Sequence, residues 1–138
     1  MECATIETSA KVLITAGVLT LAYGFLLGFA MARARMAGPT APKQLVNVHL
    51  EALIQGAALL GLSVAASFST LASGWEETAA WLLAAGAALS LAGGTVNWLE
   101  KVEDAFKARS RGFLLQATGG PVNTVGILIL VIGVLKAL

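Results

Sequence analysis

The sequence predicts an all-α, polytopic membrane protein: a bundle of four transmembrane helices forming one domain over residues 1–138. Composition is the first observation, because 57% of the residues are hydrophobic and only 12% are charged, whereas about 25% are charged in a typical soluble domain. Arrangement is the second, because the apolar residues fall into blocks of about 20, enough to cross a bilayer as a helix. Polar or Gly/Pro-containing turns separate the blocks. The predicted spans are about 10–32, 45–71, 78–99 and 121–138.

The first two spans are joined by a short connection. The first span carries the only tyrosine, Tyr23, which is either a packing or interfacial aromatic or a phenol donor facing a buried site. Residues 36–43 (MAGPTAPK) contain Pro39 and Pro42 and cannot continue a helix. The second span therefore begins near Leu45.

The third span ends near Leu99 and passes directly into a charged stretch, residues 100–109. Glu103 and Lys107 have the stabilising i, i+4 order. This order predicts that the third helix continues through the charged stretch into the headgroup region.

The last span is predicted to follow a loop over residues 110–120. Pro121 suits the first turn of a helix because its missing N–H needs no partner there. Asn123 then lies in the first turns of the span, facing the bundle or the loop.

Basic residues predict the orientation of the bundle. Seven of the nine lie in or beside the connections between spans one and two and between spans three and four. The positive-inside rule places these two connections in the cytoplasm and both termini outside. We therefore expect a multi-pass protein of the cell (inner) membrane. The seven residues are Arg33, Arg35, Lys43, Lys101, Lys107, Arg109 and Arg111.

Four polar side chains open the second span: Asn47, His49, Glu51 and Gln55. On a helix, Asn47, Glu51 and Gln55 share one face, because they follow at i, i+4 and i+8. His49 points to roughly the opposite side. Ionisable residues inside a span are expensive and mark functional sites by default. The second helix therefore needs a partner on each of its two polar faces.

Further polar residues are predicted at the same depth near the cytoplasmic boundary. Asn97 and Lys101 lie at the end of the third span, and Asn123 lies at the start of the fourth. Glu51 either stabilises charge in a reacting substrate or pairs with Lys101 across the bundle.

Composition also bounds the chemistry. A formal net charge of +1 and the lack of a basic, aromatic-interleaved patch give no support to nucleic-acid binding. Cys3 is the only cysteine, which excludes a disulfide framework or a cysteine-based metal site within one chain. His49, as the only histidine, suits a proton relay, a metal ligand or a haem axial ligand. Haem is the cofactor most compatible with one histidine, because the porphyrin supplies the other nitrogens.

Three short motifs carry a resemblance to a known family. They are His49-Leu50-Glu51 with Gln55-Gly56, the stretch Val96-Asn97-Trp98, and Gly120-Pro121-Val122-Asn123. In order and spacing they resemble the small four-span membrane isomerases that include hydroxylaminobenzene mutase and styrene oxide isomerase. Glu51 and the Asn97-Trp98 pair are closer to the mutase branch.

The resemblance implies a homotrimer with ferric haem b between subunits and His49 as the iron ligand. It implies a redox-neutral rearrangement of a small apolar aromatic substrate whose oxygen binds the iron. Gln55 matches the second-span asparagine of the family. The sequence departs from the epoxide isomerase at two positions, where Lys101 replaces a tyrosine and Gly93 replaces an aspartate.

Three functions follow as hypotheses. The first is a haem-dependent isomerase that converts an aryl epoxide to a carbonyl, or an arylhydroxylamine to an aminophenol. The candidate catalytic residues are Gln55, Glu51, Asn97, Lys101, Tyr23 and Asn123, and His49 holds the cofactor. The second is a small transporter in which His49 and Glu51 relay protons. The third is a haem-free structural subunit whose polar residues join helices.

Overall fold

The computed structural model describes residues 7–138, which form five helices and their connections. Cys3 lies outside the described residues. No strand occurs in residues 7–138, so the predicted all-α class is confirmed. The helices are α1 (Thr8–Ala37), α2 (Lys43–Ala66), α3 (Ser73–Leu99), α4 (Ala105–Ala108) and α5 (Arg111–Ala137).

The four long helices are each long and apolar enough to cross a bilayer, and the chain is a multi-pass membrane protein. Helix α1 packs mainly against α2, and α3 packs mainly against α5. Helix α3 is central, because it also contacts α1 and α2. Half of its most apolar stretch is buried, against 22% to 28% in the other three helices.

One end of the bundle carries two connections, residues 38–42, which basic residues flank, and residues 100–110, which contain basic residues, and we call it the basic end. Gln44 at the start of α2 donates to the carbonyl of Val102 at 3.0 Å, which ties the two connections together. An apolar cluster lies toward this end, and a larger one fills the other half of the bundle. The first contains Leu27, Leu45, Val48, Ala52 and Leu91; the second includes Leu13, Leu59, Leu83 and Leu130.

Glycines bring α5 close to α3. Four buried glycines of α5 recur every seventh residue, so they lie along one face of the helix. A Cβ added at Gly119 would lie 2.8 Å from the carbonyl oxygen of Gly86. Small residues of this kind allow the van der Waals contact that holds membrane helices together. Three of the four lie against α3, namely Gly112, Gly119 and Gly126, and the fourth, Gly133, lies against Ser69 and Leu71 of the connection before it.

Replacing Gly119 by alanine should destabilise the bundle by about 1–3 kcal/mol, because the new methyl group would overpack against backbone that cannot rotate away. The neighbouring Gly120→Ala is a matched control, since nothing lies within 4 Å of a Cβ at that position. It should leave stability unchanged or raise it by up to about 1 kcal/mol, the helix-propensity gain. Thermal unfolding in detergent measures both, and equal effects would contradict the close α3–α5 contact.

The second helix is shorter than predicted, ending at Ala66 rather than near Leu71. The amides of residues 67–69 donate to carbonyls three positions earlier instead of four. This tighter turn takes the chain out of the α-helix. The third helix is longer at its start, beginning at Ser73 rather than Thr78.

The predicted continuation of the third helix through residues 100–109 is wrong. The helix ends at Leu99, as first expected, and Lys101 adopts a left-handed conformation with φ 54°. The amide of Val102 donates to the carbonyl of Asn97 at 3.0 Å. This is the hydrogen bond of a Schellman C-cap, which turns the chain away from the helix axis.

The predicted loop at residues 110–120 is also wrong, because α5 begins at Arg111. Ser110 caps this helix, accepting a hydrogen bond from the amide of Phe113 at 3.0 Å. Pro121 therefore lies inside the helix and not in its first turn. Membrane helices tolerate an internal proline because neighbouring groups compensate for the lost hydrogen bond.

Candidate functional site

His49 faces α1 and is half-buried. Its Nδ1 lies 2.8 Å from the carbonyl oxygen of Gly24. A carbonyl oxygen only accepts, so Nδ1 carries a proton, and in the neutral imidazole Nε2 then keeps its lone pair. Gly28 gives the ring its room, because a Cβ there would lie 3.2 Å from His49 Cε1. The imidazole is therefore held in the tautomer that binds a metal through Nε2.

Helices α1 and α2, between which this ring lies, both expose large apolar side chains. Phe25 and Phe29 of α1 are 63% and 74% exposed, and Leu50 and Ile54 of α2 are 50% and 68% exposed. A haem needs one protein nitrogen for its iron and apolar surface for its porphyrin. The residues present fit that group: His49 supplies the nitrogen, and the exposed side chains of α1 and α2 supply apolar surface.

Glu51 faces the opposite side of α2, toward α5, which confirms the predicted opposition of the two polar faces. Its Oε1 accepts from Gln55 Nε2 at 2.9 Å, and its Oε2 accepts from Gln116 Nε2 at 3.5 Å. Lys101 is exposed and lines a separate hollow beside Trp98. The alternative of a Glu51–Lys101 pair is therefore wrong, since amides hold the carboxylate.

Asn97 is the most deeply buried polar residue of the site, with 1% of its surface exposed. Its Oδ1 accepts from Ser110 Oγ at 2.6 Å, and its Nδ2 donates to Gln116 Oε1 at 3.2 Å. A continuous chain of hydrogen bonds thus joins the cap of α5 to Asn97, Gln116, Glu51 and Gln55. Sequence reasoning missed Ser110 and Gln116, because residues 110–120 were predicted to be a loop.

A cavity of about 430 Å³ lies over Glu51 and Gln116 at the basic end, and we call it the Glu51 cavity. Its walls come from α2, from Gly94 of α3, from Gln116 of α5 and from the segment that precedes α5. Its charged lining residues are three carboxylates, Glu51, Glu103 and Asp104, and one cation, Lys43. The charged groups of the cavity are therefore mostly hydrogen-bond acceptors. The polar lining is Lys43, Gln44, Asn47, Glu51, Glu103, Asp104 and Gln116.

No protein-family model, curated protein or solved structure matches this chain. The resemblance to the small membrane isomerases therefore stays a prediction from the three motifs. Two of them contribute side chains to the hydrogen-bond chain, through Glu51, Gln55 and Asn97. The third, Gly120-Pro121-Val122-Asn123, lies inside α5 and not at the entry of a span.

Tyr23 joins α1 to α3. Its hydroxyl lies 2.5 Å from Thr95 Oγ1, which itself donates to the carbonyl of Leu91 at 2.7 Å. A threonine hydroxyl has one proton, so the phenol must be the donor to Thr95. The phenol proton is thus engaged between helices, and Tyr23 is not among the residues that line the Glu51 cavity.

Asn123 lies apart from the other polar residues. It packs against Gly86, where an added Cβ would lie 2.6 Å from its Cγ. It follows Gln116 by seven residues, which is about 10 Å along the helix. The prediction of one polar cluster at one depth is wrong for Asn123, because α5 starts earlier than expected and Gln116 occupies that level instead.

Proposed function

We propose that this chain is an integral-membrane isomerase that holds haem b through His49 and rearranges a small apolar aromatic substrate. The observation that carries the proposal is the hydrogen bond between His49 Nδ1 and the carbonyl oxygen of Gly24, which leaves Nε2 as the metal-binding nitrogen of the neutral ring, between two helices that expose large apolar side chains. When bound, haem supplies a Lewis acid that polarises the substrate oxygen. Apolar aromatic substrates partition into lipid, which explains an enzyme built almost entirely of membrane helices.

The polar residues favour an arylhydroxylamine over an aryl epoxide. The Glu51 carboxylate is a hydrogen-bond acceptor, and an epoxide oxygen also only accepts. An arylhydroxylamine has N–H and O–H donors that match the carboxylate. Gln55 donates its amide to Glu51 and keeps its own carbonyl oxygen as a further acceptor.

Conversion of an arylhydroxylamine to an aminophenol is redox-neutral. The N–O bond breaks, a C–O bond forms on the ring, and the displaced ring proton passes to nitrogen. Glu51 stabilises the positive charge that develops on nitrogen and the ring as the N–O bond breaks. The same carboxylate is suited to carry the ring proton to nitrogen. Gln55 keeps it oriented during both steps.

A site shared between two copies would bring the His49 side of one α2 helix and the Glu51 side of another to the same substrate. Leu50, Ile54, Ala57, Gly61 and Val64 form an exposed stripe on α2, with His49 and Glu51 roughly 100° to either side of Leu50. A head-to-tail contact between copies uses two different patches and forms a ring where its rotation closes. In the proposed homotrimer the cofactor lies at this interface, with the His49 edge of one copy against the Glu51 edge of the next. We place it in the cell (inner) membrane with the basic end cytoplasmic.

Purified protein tests the function directly. A Soret band in detergent, together with faster turnover of phenylhydroxylamine than of styrene oxide in parallel assays, is the expected result. Colourless protein without either activity would overturn the proposal. It would leave the proton-relaying transporter and the haem-free structural subunit.

A subunit-mixing experiment tests the shared site. His49→Ala and Glu51→Gln chains are each expected to be inactive alone. Co-expressed at equal levels, they should regain up to roughly a quarter of wild-type activity, because one interface in four then joins an intact His49 to an intact Glu51. A mixture as inactive as either variant would argue that each subunit works alone, and a monomer by native mass spectrometry would do the same.

A proton-relaying transporter is the second candidate, favoured by the position of Glu51 at a cavity near one end of the bundle. Its test is acidification of proteoliposomes by an imposed gradient, with Glu51→Gln as the control. Proton flux that Glu51→Gln abolishes, in protein lacking a Soret band, would favour the transporter.

A further inference from the structure

Gln116 hydrogen-bonds to both Glu51 and Asn97, which belong to different helices. Its Nε2 lies 3.5 Å from Glu51 Oε2, and its Oε1 lies 3.2 Å from Asn97 Nδ2. Within residues 7–138 no other side chain has hydrogen bonds to both of these groups. Helix α5 packs mainly on α3, so Gln116 is its polar link to α2.

Gly93 of α3 makes room for this link, and Gly94 lies beside it. A Cβ at Gly93 would lie 2.7 Å from Gln116 Cγ and 3.0 Å from its main-chain nitrogen. A Cβ at Gly94 would lie 3.5 Å from Gln116 Nε2. The stem of Gln116 therefore passes over bare α3 backbone on its way to α2. A side chain at Gly93 would block that path.

The hydrogen bonds also have a fixed direction. The Glu51 carboxylate only accepts, which fixes the direction of the whole chain. The amide of Phe113 donates to Ser110 Oγ, and the Ser110 hydroxyl donates to Asn97 Oδ1. The Asn97 NH₂ group then donates to Gln116, which accepts through its side-chain carbonyl oxygen. The NH₂ of Gln116 is consequently turned toward Glu51. If the Gln116 amide were flipped, its NH₂ would face the NH₂ of Asn97, and its oxygen would face the Glu51 carboxylate. Neither pair can form a hydrogen bond.

We propose that Gln116 is a positioning residue that holds the Glu51 carboxylate for reaction. With Gln116 on Oε2 and Gln55 on Oε1, each carboxylate oxygen is held by one amide and retains lone pairs for a donor in the Glu51 cavity. Gln116 thereby sets the direction from which a donor-bearing aromatic approaches Glu51. The inference rests on the proposed function and adds a residue from α5 to its site.

Two substitutions separate positioning from packing. Gln116→Met keeps the length of the stem over Gly93 and removes both hydrogen bonds. Gln116→Glu still accepts from Asn97 but brings a second carboxylate to Glu51 in place of the amide donor. Thr118→Val is the control, because Thr118 is exposed on the same helix and bonds only to the carbonyl of Leu114.

We expect both Gln116 variants to keep the Soret band and to lose turnover on the order of 10²-fold, with kcat affected more than KM, since misplacing a reacting group by about 1 Å has that effect. The infrared carboxylate stretch of Glu51, identified by its loss in Glu51→Gln, should shift in Gln116→Met and stay unchanged in Thr118→Val. This readout does not depend on activity.

An unshifted Glu51 band in Gln116→Met would overturn the inference, as would a shifted band with unchanged turnover. Lower thermal stability without a change in kcat would assign Gln116 to packing. Wild-type protein that lacks haem and turnover would instead overturn the proposed function, and with it this role, while the Gln116–Glu51 contact itself is still reported by the infrared band.

Discussion

His49→Ala protein is expected to insert and fold like the wild type and to lose both haem and turnover. His49 is the only histidine of the chain, and its Nδ1–H bond to Gly24 leaves Nε2 as the free nitrogen. Alanine removes the proposed iron ligand but keeps the helix, because alanine has the highest helix propensity. Soret absorbance per mole of protein should fall to background, while the thermal unfolding of the apoprotein stays close to that of haem-stripped wild type.

A rescue experiment separates ligation from folding. His49→Gly opens the same space, and free imidazole added in millimolar excess should restore part of the Soret band. Asn47→Ala is a matched control, because Asn47 is an exposed polar residue two positions earlier on the same helix. It should keep the full band. A full Soret band in His49→Ala would remove His49 as the ligand.

Gln55→Leu is expected to keep the haem spectrum and to lose turnover by on the order of 10²–10³, the usual cost of deleting one hydrogen bond that stabilises a transition state. Gln55 is the closer amide donor to Glu51, at 2.9 Å. Leucine has nearly the same size and removes both the donor and the free carbonyl oxygen. Single-turnover kinetics with the Soret band as an internal standard measure the loss per haem.

Asn97→Leu is expected to lose turnover with haem retained, and to lose stability as well. Asn97 is buried and bonds to both Ser110 and Gln116. Leaving those partners unsatisfied should cost about 1–3 kcal/mol. Gln55 is only half-buried, so Gln55→Leu should change thermal stability less. If either variant keeps near-normal turnover with haem bound, that residue belongs to the scaffold.

Hydropathy and helical periodicity alone predict the four membrane helices and the opposition of His49 and Glu51 on α2. Both predictions succeed for the same reason. In lipid each backbone group must be hydrogen-bonded within its own segment, so a long apolar stretch becomes a helix, and residue spacing then decides which side chains share a face. The third membrane span ends near Leu99 as predicted, although the helix does not continue beyond it as expected.

The start of α5 shows where local signals mislead. In a soluble protein, Gly119, Gly120 and Pro121 would predict a break in the helix. Here the helix continues through all three residues. Glycine heptads and the Ser110 cap outweigh the local preference, because packing on α3 compensates for weak propensity. The seven-residue glycine repeat is visible in the sequence. It would have indicated that the helix begins near Gly112.

The partners of Glu51 are a matter of tertiary structure. Sequence reasoning offers Lys101 as a partner for Glu51, but the C-cap of α3 turns Lys101 outward. The side-chain amide of Gln116 donates to the carboxylate instead. No local pattern identifies Gln116, since its contact with Glu51 spans 65 positions of the chain. It depends on Gly93 leaving the surface of α3 bare. Periodicity assigns a side chain to a face of its own helix, whereas the close approach of α3 and α5 decides which polar group meets it.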